Sequence, residues 1–212
     1  MERMATHGTL EQHLTKGNQH IAAGDSKRAR PHFARAVALA PRCAAALDGL
    51  AWTYYMEGDH ARAKELLERA IHCEPAFAEA YTDLGCVLHE LGEFKEAERL
   101  HKHCLRLQPD RHDAHFNLGL LYIRLQRYHD AEHALVLATQ CVPPQPDSFQ
   151  ALGEVKLLQE DYAGACLALA ACLALEPDNI EVDLLLTHAR YEQRHALPKK
   201  PRRGRPRRTK GE

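Results

Sequence analysis

The sequence predicts an all-α fold in which five consecutive helix–turn–helix hairpins are followed by one more helix and a basic tail. Three series of residues predict it. Ala29, Ala63, Ala97, Ala131 and Ala165 recur at a constant step. Pro41, Pro75, Pro109, Pro143 and Pro177 keep that step, and so do Gly17, Ala51, Gly85, Gly119 and Gly153. The step is about 34 residues, and three registers in phase without an insertion define an internal repeat. Helix formers dominate, and no stretch sustains the two-residue alternation of a strand.

The unit 44–77 shows how each hairpin is written. Leu47, Leu50, Ala51 and Tyr54 recur at i, i+3, i+4 and i+7, the stripe of an amphipathic helix. Gly58 tolerates the left-handed backbone that ends a helix, and Asp59 can cap the next one. A second stripe runs through Ala63, Leu66, Leu67, Ala70 and Ile71 until Pro75, which has no amide to continue a helix.

Residues 1–9 are expected to be flexible, and unit one covers 10–43. It carries Lys16 where later units have Leu50, Leu84, Leu118 and Leu152, and His13 and His20 where unit two has Leu47 and Tyr54. A terminal unit lacks a neighbour on one side, so these sites are expected to be wetter. Unit three, 78–111, keeps Tyr81, Leu84 and Gly85 but places His101 at an apolar position. Unit four, 112–145, keeps Leu118, Gly119 and Tyr122, and unit five, 146–179, keeps Phe149, Leu152 and Gly153. The second helix of unit five is so apolar that something must cover it. A capping helix over 180–197, with Val182, Leu185, Leu186 and Ala189, is expected to do so, ahead of a disordered basic tail over 198–212.

This pattern resembles a tetratricopeptide (TPR) repeat. The resemblance implies a right-handed superhelix whose concave groove, lined by the first helix of each repeat, holds partners. Carried over position by position, the lining is Leu14, Asn18 and Ile21, then Asp48, Trp52, Tyr55 and Met56, then Thr82, Cys86, His89 and Glu90. Phe116, Leu120, Ile123 and Arg124 follow, and then Gln150, Glu154, Leu157 and Leu158. So apolar a lining suggests an amphipathic helix or hydrophobic peptide as ligand. An N-terminal segment, the capping helix or a second copy are the alternative occupants. The carboxylate clamp of chaperone-binding members is absent: its positions fall on Leu14, Asn18, Gly49, Glu79 and Asp83, of which Asn18 alone matches. An asparagine ladder also fails, with Asn117 alone beside Thr15, Gly49, Asp83 and Ala151.

Charge is split along the chain. The net charge is −1, but residues 199–212 carry +7 against −8 for the remainder, a division that points to a polyanion partner. The run Lys199-Lys200-Pro201-Arg202-Arg203-Gly204-Arg205-Pro206-Arg207-Arg208 resembles an AT-hook. In that family the Arg-Gly-Arg core lies in the minor groove of A/T-rich DNA, where narrow grooves attract arginine. A nuclear-import signal or a solubilising tail are the other readings of the same residues.

Nothing in the sequence points to catalysis. The seven cysteines form no CxxC pair and read as reduced small hydrophobes. His129 and His133 have a metal-compatible spacing, yet no HExxH or acidic partner accompanies them, and the histidines read as scattered and solvent-facing. No metal or cofactor is expected. The N-terminus lacks a signal peptide's apolar core, and no apolar run approaches the roughly 18 residues of a membrane span. The expected protein is a cytoplasmic, non-enzymatic adaptor or scaffold that holds a hydrophobic or amphipathic segment. Its tail, able to contact DNA, would bring it to nucleus or nucleoid. The alternative is a cytosolic chaperone shielding a partner's hydrophobic segment before export or assembly.

Overall fold

The structure is a computed structural model that describes residues 2–196. These form eleven α-helices and no strand: α1 (Glu2–Ala22), α2 (Ser26–Leu39), α3 (Ala44–Met56), α4 (His60–Cys73), α5 (Ala78–Glu90), α6 (Phe94–Leu107), α7 (His112–Arg124), α8 (Tyr128–Gln140), α9 (Pro146–Leu158), α10 (Tyr162–Leu175) and α11 (Ile180–His195). They pair as five hairpins in a helical solenoid, with α11 as a sixth first helix. α1 begins at Glu2, and no proline interrupts it.

The turn inside each hairpin is written by one register. Gly24, Gly58 and Gly92 adopt φ of +72°, +80° and +78°, and the same position holds Gln126 at +57° and Glu160 at +60°. Asp25, Asp59 and Asp161 then accept from the amides of Arg28, Arg62 and Gly164, capping α2, α4 and α10.

The hairpins close because small residues face large ones. A Cβ added at Gly119 would lie 2.5 Å from Leu135 Cγ, and one at Gly153 2.6 Å from Leu169 Cγ. Gly17 and Gly49 both abut the ring of Phe33. Gly49 thus serves packing, which its absence from the three phased series concealed. Ala29, Ala63, Ala97, Ala131 and Ala165 are all fully buried, as close helix approach requires. The core runs unbroken from α2 to α9, and a second cluster joins Ala165, Leu169 and Cys172 of α10 to Val182, Leu186 and Ala189 of α11.

That second cluster covers one face of α10 only. Its outer face stays bare, with Leu167 77% exposed, contrary to the expectation that the capping helix would bury it. α11 packs against α9 and α10 alone among the described helices; it stands in line with the other first helices and does not fill their groove. Curvature follows from the same contacts. Each first helix touches the next first helix, whereas successive second helices do not come within 8 Å of one another, Cα to Cα. First helices therefore line the inside of the curve.

Two hydrogen bonds stitch neighbouring repeats at one shared position. Tyr81 Oη donates to the Pro75 carbonyl at 3.0 Å, and His115 Nε2 donates to the Pro109 carbonyl at 2.8 Å. Ion pairs such as Lys64–Glu93, Glu98–Arg127 and Glu132–Lys156 cross the same junctions. Being partly exposed, such pairs contribute at most about 1 kcal/mol each.

Candidate functional site: the concave groove

The groove is built from residues of α1, α3, α5, α7 and α9 that turn away from their own second helices. Trp52 and Tyr55 stack with ring centroids 5.1 Å apart. Tyr55, Cys86, His89, Glu90, His101, Asn117 and Leu120 enclose a hollow of about 140 Å³ between the second, third and fourth repeats. Leu120 also borders a second hollow of about 240 Å³ with Phe116, Asp147, Gln150, Ala151 and Glu154. The two share Leu120, and between them their linings draw on α3, α5, α6, α7 and α9. Larger open hollows of about 620 and 610 Å³ lie where second helices fan apart. Several of their charges are paired with each other, as in Lys64–Glu93 and Arg99–Glu96.

Of the lining expected from the sequence, Tyr55, Cys86, His89, Glu90, Phe116, Leu120, Gln150 and Glu154 border these two hollows. Leu14, Ile21, Trp52, Tyr55, Cys86, His89, Phe116, Ile123 and Leu157 are partly buried, and Asn18 and Arg124 are exposed. Met56, Leu120 and Leu158 are apolar yet 55%, 38% and 54% exposed. Cys86 Sγ accepts from Asn117 Nδ2 at 3.2 Å, which ties the third repeat to the fourth. Thr82 departs from expectation. It is 2% exposed and donates to Cys104 Sγ at 3.1 Å, so its hydroxyl is spent inside its own hairpin.

The reading of the histidines as solvent-facing also needs correction. His101 is 1% exposed and His115 9%. His101 fills the hollow that Gly85 leaves, where a Cβ would lie 2.5 Å from its Cε1. Burial, with His89 adding, holds its imidazole down at about 4. His129 accepts from Gln159 at 3.4 Å. Among the described residues, no group of three or more His, Cys, Asp and Glu side chains could hold a metal ion.

Electrostatics concentrate between the second and fourth repeats. Burial pushes the Asp83 carboxyl up to about 7 against the pull of Arg111, with Asp113 and Glu79 adding to the rise. Burial likewise raises Asp48 well above the usual carboxylate range, helped by Asp83 and Glu79. The Cys86 thiol is pushed up by burial and by Asp83, so at neutral pH it stays protonated and is a poor nucleophile. The floor thus offers apolar and aromatic faces with carboxyls among them, equipment for recognition.

Sequence reasoning missed two parts of the site. Leu184, His188 and Tyr191 of α11 stand one step beyond Gln150, Glu154 and Leu157, and Leu184 and Tyr191 are 64% and 58% exposed. Carrying the register one unit further would have found them. Asp48 belongs to the expected lining, but its neighbour in the electrostatics, Asp83, does not: the two lie 35 positions apart, and no fixed step of the repeat links them. The basic residues Lys199, Lys200, Arg202, Arg203, Gly204, Arg205, Pro206, Arg207 and Arg208 lie outside the described residues. No described helix is long and apolar enough to cross a membrane.

Family models described as tetratricopeptide repeat match residues 20–85, 77–108 and 112–140. No protein of curated function matches the chain significantly in sequence. Among solved structures, a thermophilic TPR protein of Thermus thermophilus is similar, with a TM-score of 0.74 and 24% identity over 86% of this chain and 99% of that one. MamA aligns with a TM-score of 0.63 and 22% identity over 78% and 96%. YrrB, a TPR protein with an unusual peptide-binding site, aligns at 0.59 and 21% over 84% and 90%. At these identities the likeness concerns the fold.

Proposed function

The chain belongs to the tetratricopeptide repeat family, a fold that serves as a scaffold for protein–protein interaction, and from that premise we propose that it is a non-enzymatic adaptor. Its concave groove holds a hydrophobic or amphipathic protein segment, and its basic tail contacts A/T-rich DNA or another polyanion. The observation that carries this is the floor itself. Tyr55, Phe116 and Leu120 border adjoining hollows, Trp52 stacks on Tyr55, and Leu184 and Tyr191 are exposed at the corresponding positions of α11. Such a floor suits a helix whose apolar residues repeat at i, i+3, i+4 and i+7.

Selection of displayed short peptides against the full chain tests it. Recovered peptides are expected to share that spacing, to lose binding to Leu120→Glu, and to keep it with Leu167→Glu on the outer face of α10. Peptides indifferent to Leu120→Glu would remove the groove from the account. A chaperone that shields a partner's hydrophobic segment is the second reading, favoured by the exposure of Met56 and Leu158. It predicts that deleting residues 199–212 leaves activity intact, whereas the adaptor loses one of its two partners.

A further inference from the structure

Two acids on the first helices have no ion-pair partner among the described residues. Asp48 of α3 and Asp83 of α5 stand on adjacent first helices, and each lies within the electrostatic reach of the other and of Arg111. Arg111 is engaged elsewhere: Nη1 meets Glu79 at 2.7 Å and Nη2 meets Asp113 at 3.4 Å. No described residue forms an ion pair or hydrogen bond with the side chain of Asp48 or Asp83, and Asp48 Oδ1 is closed to solvent without a partner. An unpaired buried carboxyl costs free energy.

Folding has no evident use for that cost. The equivalent positions elsewhere hold Leu14, Phe116 and Gln150, or Thr15, Asn117 and Ala151, so the repeat closes without acid there. Helix polarity does not account for the pair either. Acids such as Asp147 and Glu181 occupy the first turn of their helices, where the positive end of the dipole favours them. Asp48 and Asp83 sit in the second turn of α3 and α5, beyond that effect. Trp52 lies one turn past Asp48, and its stacked partner Tyr55 lies within the field of Asp83.

We propose that Asp48 and Asp83, with Trp52 and Tyr55 beside them, form a subsite for one lysine or arginine side chain of the segment held in the groove. The inference rests on the reading that the groove holds a partner segment and specifies its chemistry: a cation set among apolar residues. The carboxylates supply the counter-charge, and the aromatic faces add cation–π attraction. The hollow beside Tyr55, Cys86 and Leu120 receives the neighbouring apolar side chain. The ligand cation completes the pairing that Arg111, held by Glu79 and Asp113, does not provide.

Fluorescence anisotropy on the full chain tests this, with two labelled amphipathic peptides that differ at one position, arginine in one and uncharged citrulline in the other. The arginine peptide is expected to bind about tenfold tighter or better, the worth of one charge-assisted contact. Asp48→Asn and Asp83→Asn should each erase that preference, and Glu65→Gln on the outer side of α4 should preserve it. Both asparagine variants relieve unpaired acid, so their melting temperatures should equal or exceed that of the wild type, which separates lost binding from lost folding. A preference that survives Asp83→Asn overturns the proposal. Equal binding of both peptides, abolished by Leu120→Glu, overturns the cation subsite and leaves the groove standing; binding of neither overturns both.

Discussion

Replacing His101 by leucine is expected to stabilise the protein and to remove a defined part of its acid sensitivity. The side chain is 1% exposed, and its Nδ1 has no hydrogen-bond partner. Leu135 and Leu169 occupy the equivalent hollows of the next two repeats, each against a glycine, so leucine is already proven for that shape. Removing an orphaned buried nitrogen returns about 1–3 kcal/mol. The pH dependence is sharper. Burial holds the ring at about 4 against an ordinary 6.5. Above pH 6.5 it is neutral in both folded and unfolded chains and makes no difference. Between 6.5 and 4 only the unfolded chain takes up the proton, so stability falls as pH falls, and below 4 the loss is complete. The whole loss is about 3 kcal/mol, of which about 2 kcal/mol falls between roughly pH 7.5 and pH 5. Urea unfolding at those two pH values, followed by the fluorescence of Trp52, measures it in both proteins. Groups common to the two cancel in the difference. A variant as acid-sensitive as the wild type to within about 0.5 kcal/mol, or less stable near pH 7.5, would refute the assignment of a buried neutral imidazole.

Three further outcomes follow from named positions. Gln126 and Glu160 hold the left-handed backbone that glycine holds in the first three repeats, at a cost of about 1 kcal/mol or more each. Changing either to glycine should raise stability by some tenths to about 1 kcal/mol, after glycine's greater freedom in the unfolded chain is deducted; a lowered melting temperature would reject this. Gly119→Ala drives a methyl against Leu135 Cγ at 2.5 Å and should cost about 1–3 kcal/mol, with amide protection lost first in α7 and α8. An unchanged melt would contradict that packing. For the tail, anisotropy on A/T-rich and G/C-rich duplexes compares the full chain with one ending at Pro198. Tail-dependent preference for A/T supports a hook. Equal binding with a log–log salt slope of up to about −7 means a generic polyanion tail, and no tail-dependent binding favours the chaperone.

The sequence by itself determined the hairpins, their number and their order. Those features are local: the stripe of each helix, the Gly58-Asp59 type of turn, and the alanine and proline series are all written along a few tens of residues. It also carries one expected lining position to the next by a constant step, and Tyr55, Cys86, His89, Glu90, Phe116, Leu120, Gln150 and Glu154 border the two hollows. What it left undecided depends on how neighbouring helices tilt. Asn117 meets Cys86 across 31 residues and His112 meets Ser148 across 36, so partners on adjacent first helices are not a fixed step apart. Only the packed helices could therefore bring Asp48 within the field of Asp83, spend the Thr82 hydroxyl on Cys104, or seat His101 against Gly85. Only they could show α11 extending the groove while the outer face of α10 stays bare. Periodicity says which face of a helix is buried; the angle at which two helices cross decides which side chains on that face meet.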